Sequence, residues 1–208
     1  MFRNLKSYEV MKWPNFALFS CFRVVIAWLL ASVPAAALTQ TLTLQNEAYN
    51  IVYDCQLAIP IYCEYICSQS NFGNIPRSKV GDFKVDKRVP KPRAKQKDYN
   101  NSGYQRGHLC PSADFACCLD LMKSTYLLTN VVPMKPSLNE GQWKTTEIAA
   151  RQLAAQFGGV RVRVWVFTQG IGRRSLPRSC VTIPTHFCKQ VSTLDNDSLL
   201  TEFSFSNY

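Results

Sequence analysis

The sequence predicts one α+β domain behind an N-terminal export segment. Three observations carry that expectation. The chain has 208 residues, the size of one domain with an extension. It is 47% hydrophobic and 18% charged, enough apolar side chain for a sizeable core, which excludes a mainly disordered chain and a polytopic membrane protein. Its body combines period-two apolar segments with one clear helical stripe. The 11 prolines and 9 glycines follow no period, so collagen-like and solenoid architectures are excluded as well.

Residues 1–37 read as a secretory signal peptide. Arg3, Lys6 and Lys12 precede an apolar stretch at 24–33, and Pro34-Ala35-Ala36-Ala37 supplies the small residues of a cleavage site after Ala37. Met11 would give a shorter basic start, and Arg23 interrupts the longer apolar run 16–38. The alternative is an uncleaved membrane anchor, which needs about 20 apolar residues in a row. The expected location is therefore secreted or periplasmic, or anchored on the exported side of a membrane. The remaining domain is 38–208.

Segments 51–53 and 59–66 are rich in aromatic and β-branched residues and read as strands. The stretch 68–103 is polar and carries Arg77, Lys79, Lys84, Lys87, Arg88, Lys91, Arg93, Lys95 and Lys97. Pro76, Pro90 and Pro92 forbid a continuous helix there, so it reads as a basic loop facing phosphate groups. A short apolar strand is expected at 125–130. The segment 139–156 reads as the helix, with Ala149, Ala150, Leu153, Ala154 and Phe157 as its packing stripe and Gly158-Gly159 as its stop. In 160–168, Val160, Val162, Val164 and Val166 alternate with Arg161, Arg163, Trp165 and Phe167, a strand with one aliphatic face. Two further strands are expected within 187–205.

Charge and cysteine content narrow the setting. The net charge is +10, and without residues 1–37 the body keeps 20 basic against 13 acidic residues, so its basic character persists. Such a surface suits a polyanion: nucleic acid, anionic lipid or an acidic protein. Besides Cys21, eight cysteines remain: Cys55, Cys63, Cys67, Cys110, Cys117, Cys118, Cys180 and Cys188. An even number behind a signal points to disulfides in an oxidising compartment, with Cys110/Cys117 and Cys180/Cys188 as candidate members. Zinc is the weaker reading, because Cys63 and Cys67 have no second tight pair with histidine at finger spacing.

The chemistry concentrates at 104–151. Of the two histidines, His186 lies in a proline-bearing strand entry without acidic neighbours and reads as structural. His108 sits in Gln105-Arg106-Gly107-His108. Asn139, Trp143, Glu147 and Arg151 are each four residues apart, so on a helix they share one sector. A phosphodiesterase needs a base to activate water, a cation to carry phosphate charge, and a group to stabilise the leaving oxygen. Neutral His108 suits the base. Asn139 offers an uncharged oxygen to Mg²⁺, Glu147 a hold on a metal-bound water, and Arg151 and Arg106 contacts to phosphate.

Tyr104-Gln-Arg-Gly-His-Leu-Cys-Pro-Ser-Ala-Asp-Phe115, Thr129-Asn130 and Asn139-x₃-Trp143-x₃-Glu147, in this order and spacing, resemble the DNA/RNA non-specific endonuclease family. The resemblance runs over about 48–189 and takes in Pro184-Thr-His-Phe-x-Lys189. It implies a ββα-metal (His-Me finger) nuclease fold: a twisted, largely antiparallel central sheet flanked by helices. It implies an Mg²⁺-dependent endonuclease, with Mn²⁺ as a substitute, that cleaves DNA and RNA to 5′-phosphate ends. By the same resemblance His108 is the general base and Asn139 the direct metal ligand. Glu147 holds a metal-bound water, Asn130 orients the site and Arg151 contacts phosphate. Arg106 belongs to the motif as a structural residue, and a homodimer is the family precedent.

Three departures stand out. Gln105 replaces the motif's usual Asp, which changes the local field near His108. The family's upstream transition-state arginine has two candidates here, Arg77 and Arg88. The chain ends at Tyr208, where the family fold normally continues with a strand and a helix, so a shortened C-terminus is expected. A catalytically impaired nucleic-acid-binding protein on the same fold is the alternative reading.

Overall fold

Strand β6 (Val160–Phe167) is the spine of the fold. Val160, Val162, Val164 and Val166 turn to one side and are buried, while Arg161, Arg163 and Trp165 lie half-buried on the other. That alternation is the period-two signature of a sheet with a covered and an open face. The computed structural model describes residues 40–168 and 174–208. The proposed signal or anchor at 1–37 lies outside the described residues. No helix among the described residues is long and apolar enough to cross a membrane.

Six strands form the main sheet in the order β1-β2-β3-β6-β7-β8, every neighbouring pair antiparallel. They are β1 (Thr41–Gln45), β2 (Tyr49–Asp54), β3 (Ile59–Cys67), β6, β7 (His186–Ser192) and β8 (Leu199–Ser206). Register decides which residues share a face. Ile51, Cys63, Val164, Lys189 and Phe203 stand in one cross-strand row on the covered face. The next row, Asn50, Glu64, Arg163, Gln190 and Glu202, points the other way.

A smaller sheet pairs β4 (Gln105–His108) with β5 (Val131–Met134). Gly107 is required there: a Cβ on it would stand 2.7 Å from Cβ of Met134. The chain then passes through α2 (Pro136–Leu138) and a wide π-type turn (Asn139–Trp143) into α3 (Lys144–Phe157). This β4-β5-α3 succession is the ββα unit of an α+β nuclease fold. Helix α3 covers the sheet with Ala150 and Ala154, both fully buried, and Gly158 in the left-handed region ends it.

Three expectations change. The helix starts at Lys144 rather than at 139, because Gly141 (φ −99, ψ −111) breaks the helical path. Phe157 leaves the packing stripe and is 46% exposed, while Thr146 joins it. The strand expected at 125–130 begins instead at Val131. Before it come α1 (Leu119–Ser124) and a 3-10 turn (Leu128–Asn130), in which the Thr125 hydroxyl donates back to the Met122 carbonyl.

Cys110 and Cys117 stand as free thiols in the structure. Cys63, Cys67 and Cys110 are fully buried beneath α3 and pack as small apolar side chains. Burial pushes their thiols up, away from the reactive thiolate. Cys117 and Cys118 are exposed.

Candidate active site

Strand β4 delivers His108 at its end, and Asn130 holds that end in place. The Asn130 side chain is fully buried; its Oδ1 accepts from the Cys110 amide at 3.0 Å, and its Nδ2 donates to the carbonyls of Cys110 and Thr125 at 2.9 and 2.8 Å. Its carbonyl takes the Leu109 amide. Leu109 and Cys110 follow His108 directly, Thr125 closes the turn after residues 119–124, and Asn130 does not line the cleft that His108 lines. Trp143 clamps from the other side, its Nε1 donating to the His108 carbonyl at 3.1 Å.

A cleft of about 800 Å³ lies between the basic loop, β4 and α3. His108, Asn139, Glu147, Arg151, Arg106 and Arg77 all line it. The predicted set therefore converges, with Asn130 one layer behind. Of the two candidate upstream arginines, the fold brings Arg77 into the cleft. Its Nε donates to the Tyr126 hydroxyl, and its guanidinium lies 5.6 Å from the centre of that ring. Arg88 is engaged elsewhere: it pairs with buried Asp86 at 2.7 Å and donates to Gln45 and Asn46.

His108 is 9% exposed, packed against the rings of Phe83 and Tyr126, each 5.0 Å away. Among the described residues its Nε2 has no hydrogen-bond partner. Burial first, then the charges of Arg77 and Arg106, lower its pKa to about 3, so the imidazole is neutral at physiological pH. Arg106 sits over the rings of Phe83 (5.2 Å) and Tyr99 (5.8 Å) and donates to the Gln96 carbonyl.

Gln105 acts on a different residue than the sequence suggested. Its Oε1 accepts from Asn139 Nδ2 at 2.7 Å, and its own amide donates to Glu140. It thereby fixes the Asn139 amide and leaves that residue's Oδ1 as an oxygen donor. The wide turn that carries Asn139 is of a type frequent at functional sites.

Glu147 faces an ionised surrounding that the motif alone did not disclose. Burial raises its pKa, and Lys189 is the strongest opposing influence. Lys189 is fully buried; its Nζ donates to Thr146 Oγ1 at 2.9 Å and stands 3.7 Å from the centre of the Trp143 ring. Fully buried Asp114 pairs with Arg151 at 2.7 Å. The sequence held a signal for Lys189, a cation on the apolar face of β7 between Phe187 and Val191. His186 is exposed and edge-on to Tyr208, and it does not line the cleft.

A family model described as DNA/RNA non-specific endonuclease matches residues 32–206. A nuclease of Nostoc sp. is 29% identical over 81% of this chain and 62% of its own length. The mitochondrial nuclease EXOG of Xenopus laevis is 32% identical over 68% of this chain and 38% of its own. Human mitochondrial endonuclease G is 32% identical over 52% of this chain and 40% of its own. The chain thus spans less than two thirds of these relatives. A crystal structure of the EndoG/EndoGI complex shares the fold, with a TM-score of 0.73 at 20% identity over 80% of this chain and 74% of that one. The chain belongs to the DNA/RNA non-specific endonuclease family.

Proposed function

We propose that this member of the DNA/RNA non-specific endonuclease family hydrolyses phosphodiester bonds in DNA and RNA with Mg²⁺ as its metal ion. The observation that carries the reading is one cleft lined by a neutral, unpartnered histidine, an amide oxygen donor, a half-buried carboxylate and three arginines. The donor set suits the metal. With Asn139 Nδ2 held by Gln105, its Oδ1 is a hard, uncharged donor in the same cleft as Glu147. Among the described residues no group of three or more His, Cys, Asp or Glu could enclose a metal. Few protein oxygens with room for water suit Mg²⁺, with Mn²⁺ as a substitute, better than zinc. When bound, Mg²⁺ would neutralise charge on the scissile phosphate and its leaving oxygen.

The chain's own residues supply the rest. Neutral His108 takes the proton of the attacking water at Nε2. The phosphate's negative charge offsets Arg77 and Arg106, which lifts the imidazole toward the range a base needs. Arg77 and Arg151 hold non-bridging oxygens and align the phosphorus for in-line attack. With the metal bound, Glu147 would hold one of its waters. None of these contacts reads a base, so sequence preference is low. Export behind residues 1–37 belongs to the same proposal.

The test is nicking of supercoiled plasmid by the full chain in Mg²⁺, in EDTA, and after His108→Ala. Cleavage should require Mg²⁺ and fall about 10²–10⁴-fold in the variant. A folded protein that binds plasmid in Mg²⁺ and never cuts it would reject the enzyme in favour of a binding protein on the same fold.

A further inference from the structure

Six of the nine basic residues of the long loop fall into three groups once the chain is folded. Arg77 enters the catalytic cleft. Arg88 and Arg93 have hydrogen-bond partners: Arg88 holds Asp86, Gln45 and Asn46, and Arg93 the carbonyls of Asp86, Lys87 and Val89. Lys91, Lys95 and Lys97 leave their ammonium groups outside ion pairs. With Arg93, and with Arg178 from a distant part of the chain, they line a separate groove of about 850 Å³.

Arg178 is held there by its own local structure. It sits at φ 56, in the left-handed region, at the tip of a small hairpin. The Ser179 amide donates to the Leu176 carbonyl, Leu176 to Val181, and Ile183 to Arg174, while Ser175 and Thr182 form a bridge. The Thr182 amide donates to the Leu57 carbonyl in the β2–β3 turn, which ties the hairpin to the main sheet. A bulky residue is uncommon at positive φ outside sites where the fold requires it.

The groove carries excess positive charge. Lys91, Lys95, Lys97 and Arg178 are exposed, and among the described residues none is in an ion pair. Asp98 is the acidic residue in the lining, and its Oδ2 accepts from the Lys95 backbone amide at 2.8 Å. One hydrogen bond ties the segment that carries the groove to the cleft. Gln96, between Lys95 and Lys97, offers its carbonyl to Arg106, which lines the cleft.

We propose that the groove formed by Lys91, Lys95, Lys97 and Arg178 is a second nucleic-acid site that holds the phosphodiester backbone of the substrate away from the scissile bond. The proposal rests on the nuclease reading and deepens it, because it makes affinity depend on substrate length. A short oligonucleotide fills the cleft alone, whereas a long one also reaches the groove. Lysines spaced along a rim bind successive phosphates without reading bases, and each contact releases counterions.

The test uses the full chain carrying His108→Ala, in EDTA, so that binding is measured without cutting. Fluorescence anisotropy follows a hexanucleotide and a 30-base-pair duplex across a salt series. The comparison variant adds Lys91→Gln, Lys95→Gln, Lys97→Gln and Arg178→Gln, and a control adds Lys91→Arg, Lys95→Arg and Lys97→Arg. For the duplex, the slope of log affinity against log salt should fall by about 3–4, with about a tenfold or larger loss of affinity near physiological salt. Hexanucleotide binding should not change, and the arginine control should keep the original slope. An unchanged duplex slope overturns the groove. Equal weakening for both lengths overturns it too, since that places the lysines in the cleft or on a general charge effect. A groove that captures an acidic polypeptide such as polyglutamate, while the duplex slope stays unchanged, also overturns it and assigns a protein partner. Cleavage by the wild-type chain is read separately: its absence with a changed slope would leave the groove standing and reject the catalytic reading.

Discussion

Two clusters of charge lie on opposite faces of the six-stranded sheet, and they differ in how far water reaches them. On the open face Glu64, Arg161, Arg163 and Asp197 form a half-exposed network. Arg163 meets Glu64 and Asp197 at 2.8 Å each, and Arg161 lies 3.2 Å from Glu64 and 3.6 Å from Asp197. On the covered face, Lys189, Glu147, Asp114, Arg151 and His108 are gathered where α3 and β4 meet the sheet. There His108 Nε2 has no hydrogen-bond partner among the described residues, and His108 lines the cleft. Buried polar groups are normally satisfied, so an unsatisfied one in a cleft points to a ligand. Charge density alone would not have separated the two clusters.

The sharpest way to break the covered side is Trp143→Ala. The indole is 1% exposed, contacts the rings of Phe187 and Phe205, and carries both the His108 carbonyl and the Lys189 cation. Its loss should cost about 3–5 kcal/mol, read by urea denaturation, and should lower activity in whatever fraction remains folded.

Lys189→Met probes the electrostatics of that side. Burial raises the pKa of Glu147, Asp114 adds to the rise, and Lys189, Arg151 and Arg77 oppose it. Removing the strongest opposing charge moves the carboxyl further up, so a higher pH is needed to ionise it. The acid limb of the pH–rate profile should therefore move to higher pH, and Lys189→Arg should move it less. An unmoved limb would mean that Glu147 does not set it.

The open face should give the smallest effect. Arg163→Ala removes partly exposed ion pairs, which are worth at most about 1 kcal/mol and weaken with salt. Thermal melting should shift slightly and nicking not at all. A loss of activity there would erase the contrast between the two faces.

Much of the site was legible in the chain because the chemistry has fixed local spacing. His108, Asn139, Glu147 and Arg151 were readable from the motif and from the four-residue rhythm of a helix, and the fold gathers them in one cleft. The rhythm was less reliable at its start. Asn139 lies in a wide turn, not in the helix, because Gly141 departs from helical geometry. The role of Gln105 was not legible either. Its partner Asn139 is 34 residues away, and only the docking of β4 against that turn brings the two amides together.

The sequence by itself determined the α+β class, the ends of β6, the basic character and the family. Each of these follows from local pattern: alternation, helical spacing, composition and an ordered motif. Tertiary structure alone decided three further matters: which of the nine loop cations reaches the cleft, that Lys189 is buried behind Glu147, and that Arg178 joins three lysines across the surface. Those outcomes depend on strand order and register, which join residues tens of positions apart. A cation's role is set by the partners that folding supplies, and these the linear pattern does not carry.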